Sequence, residues 1–386
     1  MALSRRGSRR QTENHPGTIP LMRKAENFCT LGPATNTDDG VRRLIDVDLP
    51  TLLNCALERR LPLLKQWHEE GTDCYRLLNG TAEGLPGVTV DRYGPHLVIQ
   101  TFHHSLEAKH LAQIQATVQT QLGLQFEEPL IGFYFDRSDK KAQAVVLGDP
   151  VEIDNEGVCH ELGVRYRIRG RHRGQDPLLF LDLRAGRRWI QHEAQGLSVL
   201  NLFAYTCGMG VCASHAGASE VVNVDFSQSA LAVGSENASL NGIETRISFI
   251  QSDVFPALRQ LAGRPVTFRR HRGVPAPKNY PRLDPRQFEI VVLDPPRWAK
   301  SPFGTVDLIR DYPSVFKPAL LSTAPGGRLL CTNNVAQVER EEWLDQLRRS
   351  ATKAGRPIKA IDLIEPEEDF PSFDGQPPLK MAVLEV

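Results

Sequence analysis

Hydrophobic and polar positions along the chain change period twice. Residues 1–48 mix basic, polar and turn-forming side chains without sustained periodicity, and they are expected to form a partly disordered extension with little core of its own. From Leu49 the spacing of Leu53, Leu57, Leu61, Leu64 and Trp67 approximates one helical face, which Pro62 is expected to kink or split and Gly71 to end. Asp73 to Leu78, Val88 to Asp91 and His96 to Phe102 then read as strands, separated by the turns Gly84-Leu-Pro-Gly87 and Tyr93-Gly-Pro95. A helical stretch around Leu106 to Leu122 follows. Short strands at Ile131 to Phe135, Ala144 to Leu147 and Val164 to Ile168 complete a small α+β domain over residues 49–174.

From residue 175 to 386 strands and helices alternate, a pattern that implies a parallel sheet with crossovers on both faces. Ser198 to Phe203 is the first strand. Ala204-Tyr-Thr-Cys-Gly-Met-Gly210 is the loop after it, and a helix starts at Val211. Glu220 to Asp225 and Ser248 to Asp253 are strands that each end in an acid, and Ser227 to Asn241 is a helix between them. Glu289-Ile-Val-Val-Leu-Asp-Pro-Pro-Arg-Trp298 reads as a buried strand opening into a stiff loop at its carboxyl end, where open α/β sheets bind ligands. A fifth strand, Gly327 to Cys331, leads into Thr332-Asn-Asn334.

Composition narrows the class without identifying it. With 386 residues, 41% hydrophobic and 24% charged, the chain has the balance of a globular protein with room for two or three domains. Lysine plus arginine and aspartate plus glutamate both number 46, so no net field advertises a polyanionic partner. Basic residues nevertheless cluster at Arg5 to Arg10, Arg165 to Arg173 and Arg264 to Arg286, segments that read either as solvated surface or as contacts for nucleic acid. Seven cysteines without a Cys-x-x-Cys pair argue against a zinc ribbon or a disulfide framework, and they fit a reducing cytoplasm. No metal is expected. No apolar run approaches the roughly 18 residues of a membrane helix.

Three acids at successive strand ends carry the candidate chemistry. Gly208 and Gly210 permit close backbone approach at a helix start. Asp225 is placed to accept from both hydroxyls of a ribose, and Asp253, with Val254 beside it, to meet an adenine ring. Asp294, Pro295 and Pro296 would wall the crevice. Either Asp225 or Asp253 alone reads equally well as a helix N-cap. Gly208-Met-Gly-Val-Cys-Ala213 also fits the dinucleotide fingerprint, but no hydride-transfer site accompanies it.

Taken together, Asp73-Cys-Tyr-Arg-Leu77, Leu85-Pro-Gly-Val-Thr-Val-Asp-Arg92, Phe180-Leu-Asp-Leu-Arg184, Asn201-Leu-Phe-Ala-Tyr-Thr206 with Gly208, Val224-Asp225 and Asp294-Pro-Pro296 resemble bacterial 23S rRNA methyltransferases of the RlmI type and of the RlmK half of RlmKL. The resemblance runs from about Leu49 to the C-terminus. It implies a Rossmann-like class I methyltransferase domain with a mostly parallel seven-stranded sheet, preceded by a small α+β domain. It also implies S-adenosylmethionine as cofactor, large-subunit ribosomal RNA as substrate class and the cytoplasm as location, with a homodimer among the assembly states left open. On this resemblance the cofactor would lie against Asp182, Arg184, Asn201, Phe203, Tyr205, Thr206, Gly208, Gly210, Asp225, Phe226, Ser227, Asp253, Val254 and Asp294. Cys207 stands where the family usually has glycine.

Two departures from that pattern bear on function. Residues 1–48 are too short and too polar to supply the PUA domain of RlmI-type enzymes. Methylation of cytosine at C5 requires a thiolate to attack C6, and Asn334 stands where the RlmI-type cysteine is expected. Cys331, roughly 10 Å back along a strand and on its other face, is a poor substitute. Thr332-Asn-Asn334 instead resembles the Ser-Asn-Asn of RlmK, which implies methylation of guanine N7, a nitrogen that needs alignment and no covalent adduct. Asn333 and Asn334 would then bond the edge of an extruded base, Asp294 orient it and Trp298 stack on it. C5 methylation of cytosine, a small-molecule methyltransferase and a catalytically idle RNA-binding relative remain open.

Overall fold

The computed structural model describes residues 38–386 apart from 124–129, 140–143, 148–155, 172–176, 244 and 269–279, with side chains described from Leu49 onward. The extension expected over residues 1–37 lies outside the described residues. Helix α1 (Asp38–Glu69) begins eleven residues before the helix expected from Leu49, and it runs through Pro50 and Pro62 without a break. Leu49, Leu53, Leu57, Leu64 and Trp67 are buried, whereas Pro62 faces solvent. Burying such side chains is worth about 1.5–3 kcal/mol each. Together they outweigh the roughly 3 kcal/mol that a helical proline costs.

A five-stranded sheet follows in the order β1 (Cys74–Asn79), β2 (Val88–Tyr93), β3 (His96–Thr101), β4 (Ile131–Asp136) and β5 (Val145–Leu147). Its pairs are antiparallel except β3–β4, whose parallel crossover is made by α2 (Ala108–Leu122). Leucines of α1 and α2 share one core with the apolar side chains of this sheet. A two-stranded hairpin comes next, β6 (Glu156–Glu161) and β7 (Val164–Arg169). Its turn residues Leu162 and Gly163 both have positive φ, 55° and 75°, the handedness a tight hairpin requires. Strand β6 was not foreseen, because Glu156-Gly-Val-Cys-His-Glu161 shows no apolar alternation. Cys159, Val164, Tyr166 and Ile168 of the hairpin are buried in the same core as one face of the second sheet.

That second sheet contains seven strands, mostly parallel, as the fold class implied. The elements of this part of the chain are, in order, α3 (Arg184–Glu193), β8 (Ser198–Leu202), α4 (Gly208–His215), β9 (Glu220–Asp225), α5 (Gln228–Leu240), β10 (Ile247–Gln251), α6 (Val254–Leu261), β11 (Phe288–Leu293), a separate hairpin of β12 (Trp298–Lys300) and β13 (Thr305–Asp307), α7 (Pro313–Leu321), β14 (Thr323–Asn333), α8 (Arg340–Lys353), β15 (Ala360–Ile364) and β16 (Lys380–Glu385). The strand order is β10-β9-β8-β11-β14-β16-β15, and β16 is antiparallel to both of its neighbours. The expected third strand stops at Gln251, two residues before Asp253, and the expected fifth strand extends to Asn333.

Three arginines within about one turn of α3, Arg184, Arg187 and Arg188, join these parts. Arg184 donates to Asp369 Oδ1 at 2.5 Å, Glu367 Oε2 at 2.7 Å and the carbonyl of Cys74 in β1 at 2.9 Å, and it lies 4.8 Å over the Trp67 ring of α1. Arg187 holds Glu161 of the hairpin and the Phe180 carbonyl. Arg188 bridges Glu70, at 2.7 and 2.8 Å, and Glu367 at 2.8 Å. Asp369 also accepts from the Arg76 backbone N–H at 2.9 Å, and its carbonyl accepts from Arg60 at 3.0 Å.

Arg184 and Asp369 are both fully buried, so removing Asp369 leaves a buried guanidinium with Glu367 alone to balance it. Asp369→Ala is therefore expected to cost about 3–5 kcal/mol in urea unfolding. Lys65→Ala, at an exposed i,i+4 pair with Glu69, should change stability by no more than about 0.5 kcal/mol.

Candidate active site

Strand register gathers the candidate residues at the carboxyl edge of the seven-stranded sheet. Leu202 is the Cα partner of both Leu293 and Val224, Leu293 of Cys331, and Asp225 of Gln251. Phe203, Asp225, Asp294 and Thr332, each the next residue along, therefore stand side by side. Between β8 and β11 the strand order reverses, which is where such sheets open a crevice.

The loop leaving β8 is strained. Phe203, Tyr205 and Cys207 adopt left-handed φ values of 56°, 49° and 61°. A non-glycine residue there costs about 1–2 kcal/mol, and such residues persist only where surroundings dictate them. Here the surroundings do. The Tyr205 N–H donates to Asp225 Oδ2 at 2.9 Å, the Ala204 N–H to the Val224 carbonyl at 3.1 Å, and the Thr206 hydroxyl to the Leu178 carbonyl at 2.6 Å. Asp225 is buried, and its other oxygen accepts from the Ser227 N–H at 2.8 Å. Burial pushes its pKa above the ordinary carboxylate value, partly offset by these backbone donors. The Phe226 N–H is a third backbone donor to this carboxylate. The adjacent Phe226 ring is 71% exposed.

Other residues expected at the cofactor make contacts within the protein. Arg184 is spent on the internal ion pairs described above. Asn201 donates to Asn223 Oδ1 at 2.9 Å inside the sheet. A Cβ at Gly210 would lie 2.0 Å from that same Asn223 oxygen, so its glycine serves the seating of α4 on β9. At Gly208 a Cβ would meet Leu179 at 3.3 Å. Ser227 caps α5 by accepting from the Ala230 N–H at 3.2 Å, and Asp253 caps α6 by accepting from the Phe255 N–H at 2.9 Å. The Val254 side chain is buried in the core under the sheet and offers no open face. Asp182 sits on the short turn Leu181–Leu183, in the wall between the two sheets.

On the β11 and β14 side, the Thr332 hydroxyl donates to Asp294 Oδ1. Desolvation raises the Asp294 pKa to about 6, with the negative charge of Asp182 adding to the shift and Thr332 opposing it. Pro295 is buried and Pro296 partly so. Trp298, expected in a loop, instead pairs with Asp307 in the β12–β13 hairpin, with 60% of its surface exposed. Asn333 is fully buried; its Oδ1 accepts from the Val335 N–H at 3.0 Å, and its Nδ2 has no hydrogen-bond partner among the described residues. Asn334 is exposed at the strand end.

Three supporting residues were missed. Tyr312 donates to the Thr332 carbonyl at 2.9 Å, and nothing in its sequence context signals this. Thr332 itself was quoted within a motif but given no role. Lys380, the Cα partner of Asn333, donates to the carbonyls of Val335 at 3.0 Å and Pro378 at 3.1 Å. A lysine interrupting the apolar run from Leu379 to Leu384 was the available sign.

The basic clusters are partly neutralised. Arg167 pairs with Glu236, Arg169 with Glu156 and Arg286 with Glu220, while residues 172–176 and 269–279 lie outside the described residues. Asp73, Cys74 and Cys159 bring ligand atoms within 4.8 Å of one another, but the Asp73 carboxylate already accepts from the His160 N–H at 2.7 Å and faces its Nδ1 at 2.9 Å. Among the described residues no helix is long and apolar enough to cross a membrane.

Comparison with known proteins agrees with the geometry. Residues 99–385 match the family of S-adenosylmethionine-dependent methyltransferases. Ribosomal RNA large subunit methyltransferase I of Aeromonas hydrophila is 31% identical over 326 residues, covering 83% of this chain and 75% of the relative. The protein of the same name from Salmonella enteritidis is 29% identical over 328 residues, 81% of this chain and 74% of the relative. Among solved structures, SMU.776, described as a methyltransferase and complexed with SAH, superposes with a TM-score of 0.71 at 20% identity over 88% of this chain and 81% of that one. The SAM-dependent methyltransferase from Agrobacterium tumefaciens gives 0.56 at 16% identity, over 82% and 91%. These two likenesses speak for the fold.

The raised pKa of Asp294 has a definite sign. A carboxyl whose folded pKa lies above its unfolded value adds stability below about pH 4, and that contribution is lost as pH rises through about 6. Asp294→Asn should remove this component, so that the stability difference between the two proteins changes across pH 4–6 and is flat above. Thermal unfolding at several pH values measures it; parallel profiles would show that Asp294 titrates normally.

Proposed function

The chain belongs to the S-adenosylmethionine-dependent methyltransferases, and from that premise we propose that it methylates a base of large-subunit ribosomal RNA, with a ring nitrogen of guanine as the favoured acceptor. The observation that carries the substrate class is the kinship, at 31% identity over 326 residues, with proteins named for ribosomal RNA.

The residues present fit the cofactor. Asp225 would take the vicinal ribose hydroxyls, and the exposed Phe226 ring would lie along the adenine. The second oxygen of Asp253 would accept from the adenine amino group. When bound, S-adenosylmethionine supplies an electrophilic methyl group on a cationic sulfur, which Asp294 tolerates as a neighbouring anion. Phe203, Tyr205 and Thr206 hold the loop that shapes this half of the crevice.

For the acceptor base, Asp294 would be oriented by the Thr332 hydroxyl and in turn align the base edge. The unpartnered Nδ2 of Asn333 and the exposed amide of Asn334 would supply the remaining polar contacts, while Trp298 would cover the base face. Pro295 and Pro296 stiffen the wall between cofactor and base. Methylation of a ring nitrogen asks no more than this alignment.

Cytosine C5 is the second reading, favoured by kinship with the RlmI type. A covalent adduct at C6 needs a thiolate, and the thiols nearest the crevice do not provide one. Cys331 and Cys207 are fully buried, and desolvation pushes both far above the ordinary thiol value.

Nucleoside mass spectrometry of rRNA from cells with and without the protein decides between these. Loss of a 7-methylguanosine supports the first reading, loss of a 5-methylcytidine the second, and unchanged rRNA defeats both. In vitro, Asp294→Ala should lower methyl transfer by at least about a hundredfold while RNA binding persists. That binding should weaken with salt at a log–log slope of about −0.7 per phosphate contacted on single-stranded RNA; indifference to salt would remove the basic segments from the interface.

A further inference from the structure

Beside the crevice lies a cavity of about 520 Å³ between the five-stranded sheet and the segments Phe180–Asp182 and Pro377–Leu379. It is within the size range of small-molecule sites and large enough for one nucleotide. Its position ties it to the crevice on two sides. The Phe180 ring in its wall lies 5.6 Å from the Tyr205 ring in the loop after β8, and Leu379 directly precedes Lys380, the strand partner of Asn333. Its geometry is fixed by bonds across it: Tyr93 donates to the Leu179 carbonyl at 3.1 Å, and the Arg76 backbone and guanidinium meet Asp369 and the Phe370 ring.

The lining combines aromatic surfaces with one unsatisfied acid. Phe102, 46% exposed, and Phe180, 38% exposed, present open rings in its wall. Asp91 is consumed by a two-pronged bond to Arg76, at 2.8 and 3.1 Å. Asp182 differs. Among the described residues no side chain donates to its carboxylate, which takes only its own backbone N–H; burial raises its pKa above the ordinary carboxylate value, an effect that the nearby Arg76 and Arg187 guanidiniums oppose without cancelling. A partly buried carboxylate with two acceptor oxygens and no donor awaits a ligand that brings two parallel N–H groups.

We propose that this cavity receives a guanine nucleotide, with Asp182 accepting from the N1–H and exocyclic N–H of the base and Phe102 and Phe180 flanking its ring. The two acceptor oxygens of a carboxylate match that edge of guanine with two hydrogen bonds. On cytosine it would find one donor beside the lone pair of N3, a repulsive contact. Leaving the opposite edge of guanine uncovered is what methylation of its N7 requires. The inference deepens the base-methylation reading and rests on it for the identity of the nucleotide as part of an RNA. It also moves Asp182 from the cofactor set to the recognition of the acceptor base.

Calorimetry of the full chain with guanosine 5′-monophosphate, cytidine 5′-monophosphate and S-adenosylmethionine tests the assignment. Guanosine monophosphate should bind at least tenfold more tightly than cytidine monophosphate. Asp182→Asn, which is isosteric, and Phe102→Ala, at an exposed position, should each weaken guanosine monophosphate at least tenfold and leave S-adenosylmethionine affinity within threefold. The assignment is overturned if the wild-type chain fails to bind guanosine monophosphate, if neither variant alters that binding, or if Asp182→Asn loses S-adenosylmethionine affinity to the same extent. Methylation of rRNA, measured in parallel, separates the two levels. Selective nucleotide binding without rRNA methylation upholds the cavity and defeats the rRNA reading, whereas rRNA methylation untouched by both variants does the reverse.

Discussion

The wall of the crevice that faces the five-stranded sheet is positioned by the buried pairing of Arg184 with Asp369. Neither group has access to water, so each depends on the other and on the Arg76 N–H, Glu367 and the Cys74 carbonyl for satisfaction. Such a pair adds little net stability compared with apolar packing, but it tolerates only one arrangement of its surroundings. Because Cys74 belongs to the five-stranded sheet, Arg184 to the helix that leads into the seven-stranded one, and Asp369 to the loop before the last strand, that single arrangement sets the two sheets relative to each other. Arg187 and Arg188, on the same helix, extend the constraint to the β6–β7 hairpin and to Glu70. The wall that carries Phe180 and Asp182 inherits its place from these bonds.

The strand-end acids work differently. Their alignment needs no long-range ion pair, because parallel register alone brings Asp225 and Asp294 to one edge. What the sheet does not supply is the turn between them, and the chain makes that turn with three non-glycine residues in left-handed conformation. Asp225 is the group that compels it, by accepting the Tyr205 N–H. The same carboxylate thus shapes the loop and, in the reading advanced above, holds the cofactor.

Much of this was legible in the sequence, and the exceptions are instructive. Alternating apolar strands and helices announced the parallel sheet, since buried parallel strands are continuous apolar runs that little else resembles. Helix α1 was misjudged at Pro62 because a proline's cost is local, whereas the burial that offsets it belongs to the whole face. Strand β6 was missed because its order comes from pairing with β7 and packing on a distant core. Among site residues, Asp225 and Asp294 could be found from their place after apolar strands. Arg184, Asn201 and Gly210 lie in the same motifs, yet they face inward, and only the contacts distinguish a residue kept for a ligand from one kept for Asn223 or Asp369. Tyr312 carries no local mark, because its target, the Thr332 carbonyl, is twenty residues away in sequence.

The cysteine at position 207 has a consequence for how relatives of this chain diverge. Its sulfur fills the space over Gly234 of α5, where a Cβ would come within 2.5 Å of it. Positions 207 and 234 therefore share one volume. A lineage with glycine at 207 is free to carry alanine at 234 and gain helix propensity, whereas one with cysteine at 207 is held to glycine in the middle of a helix. The two positions should change together through evolution, and a substitution at either one, judged alone, would be misread as intolerance of that site.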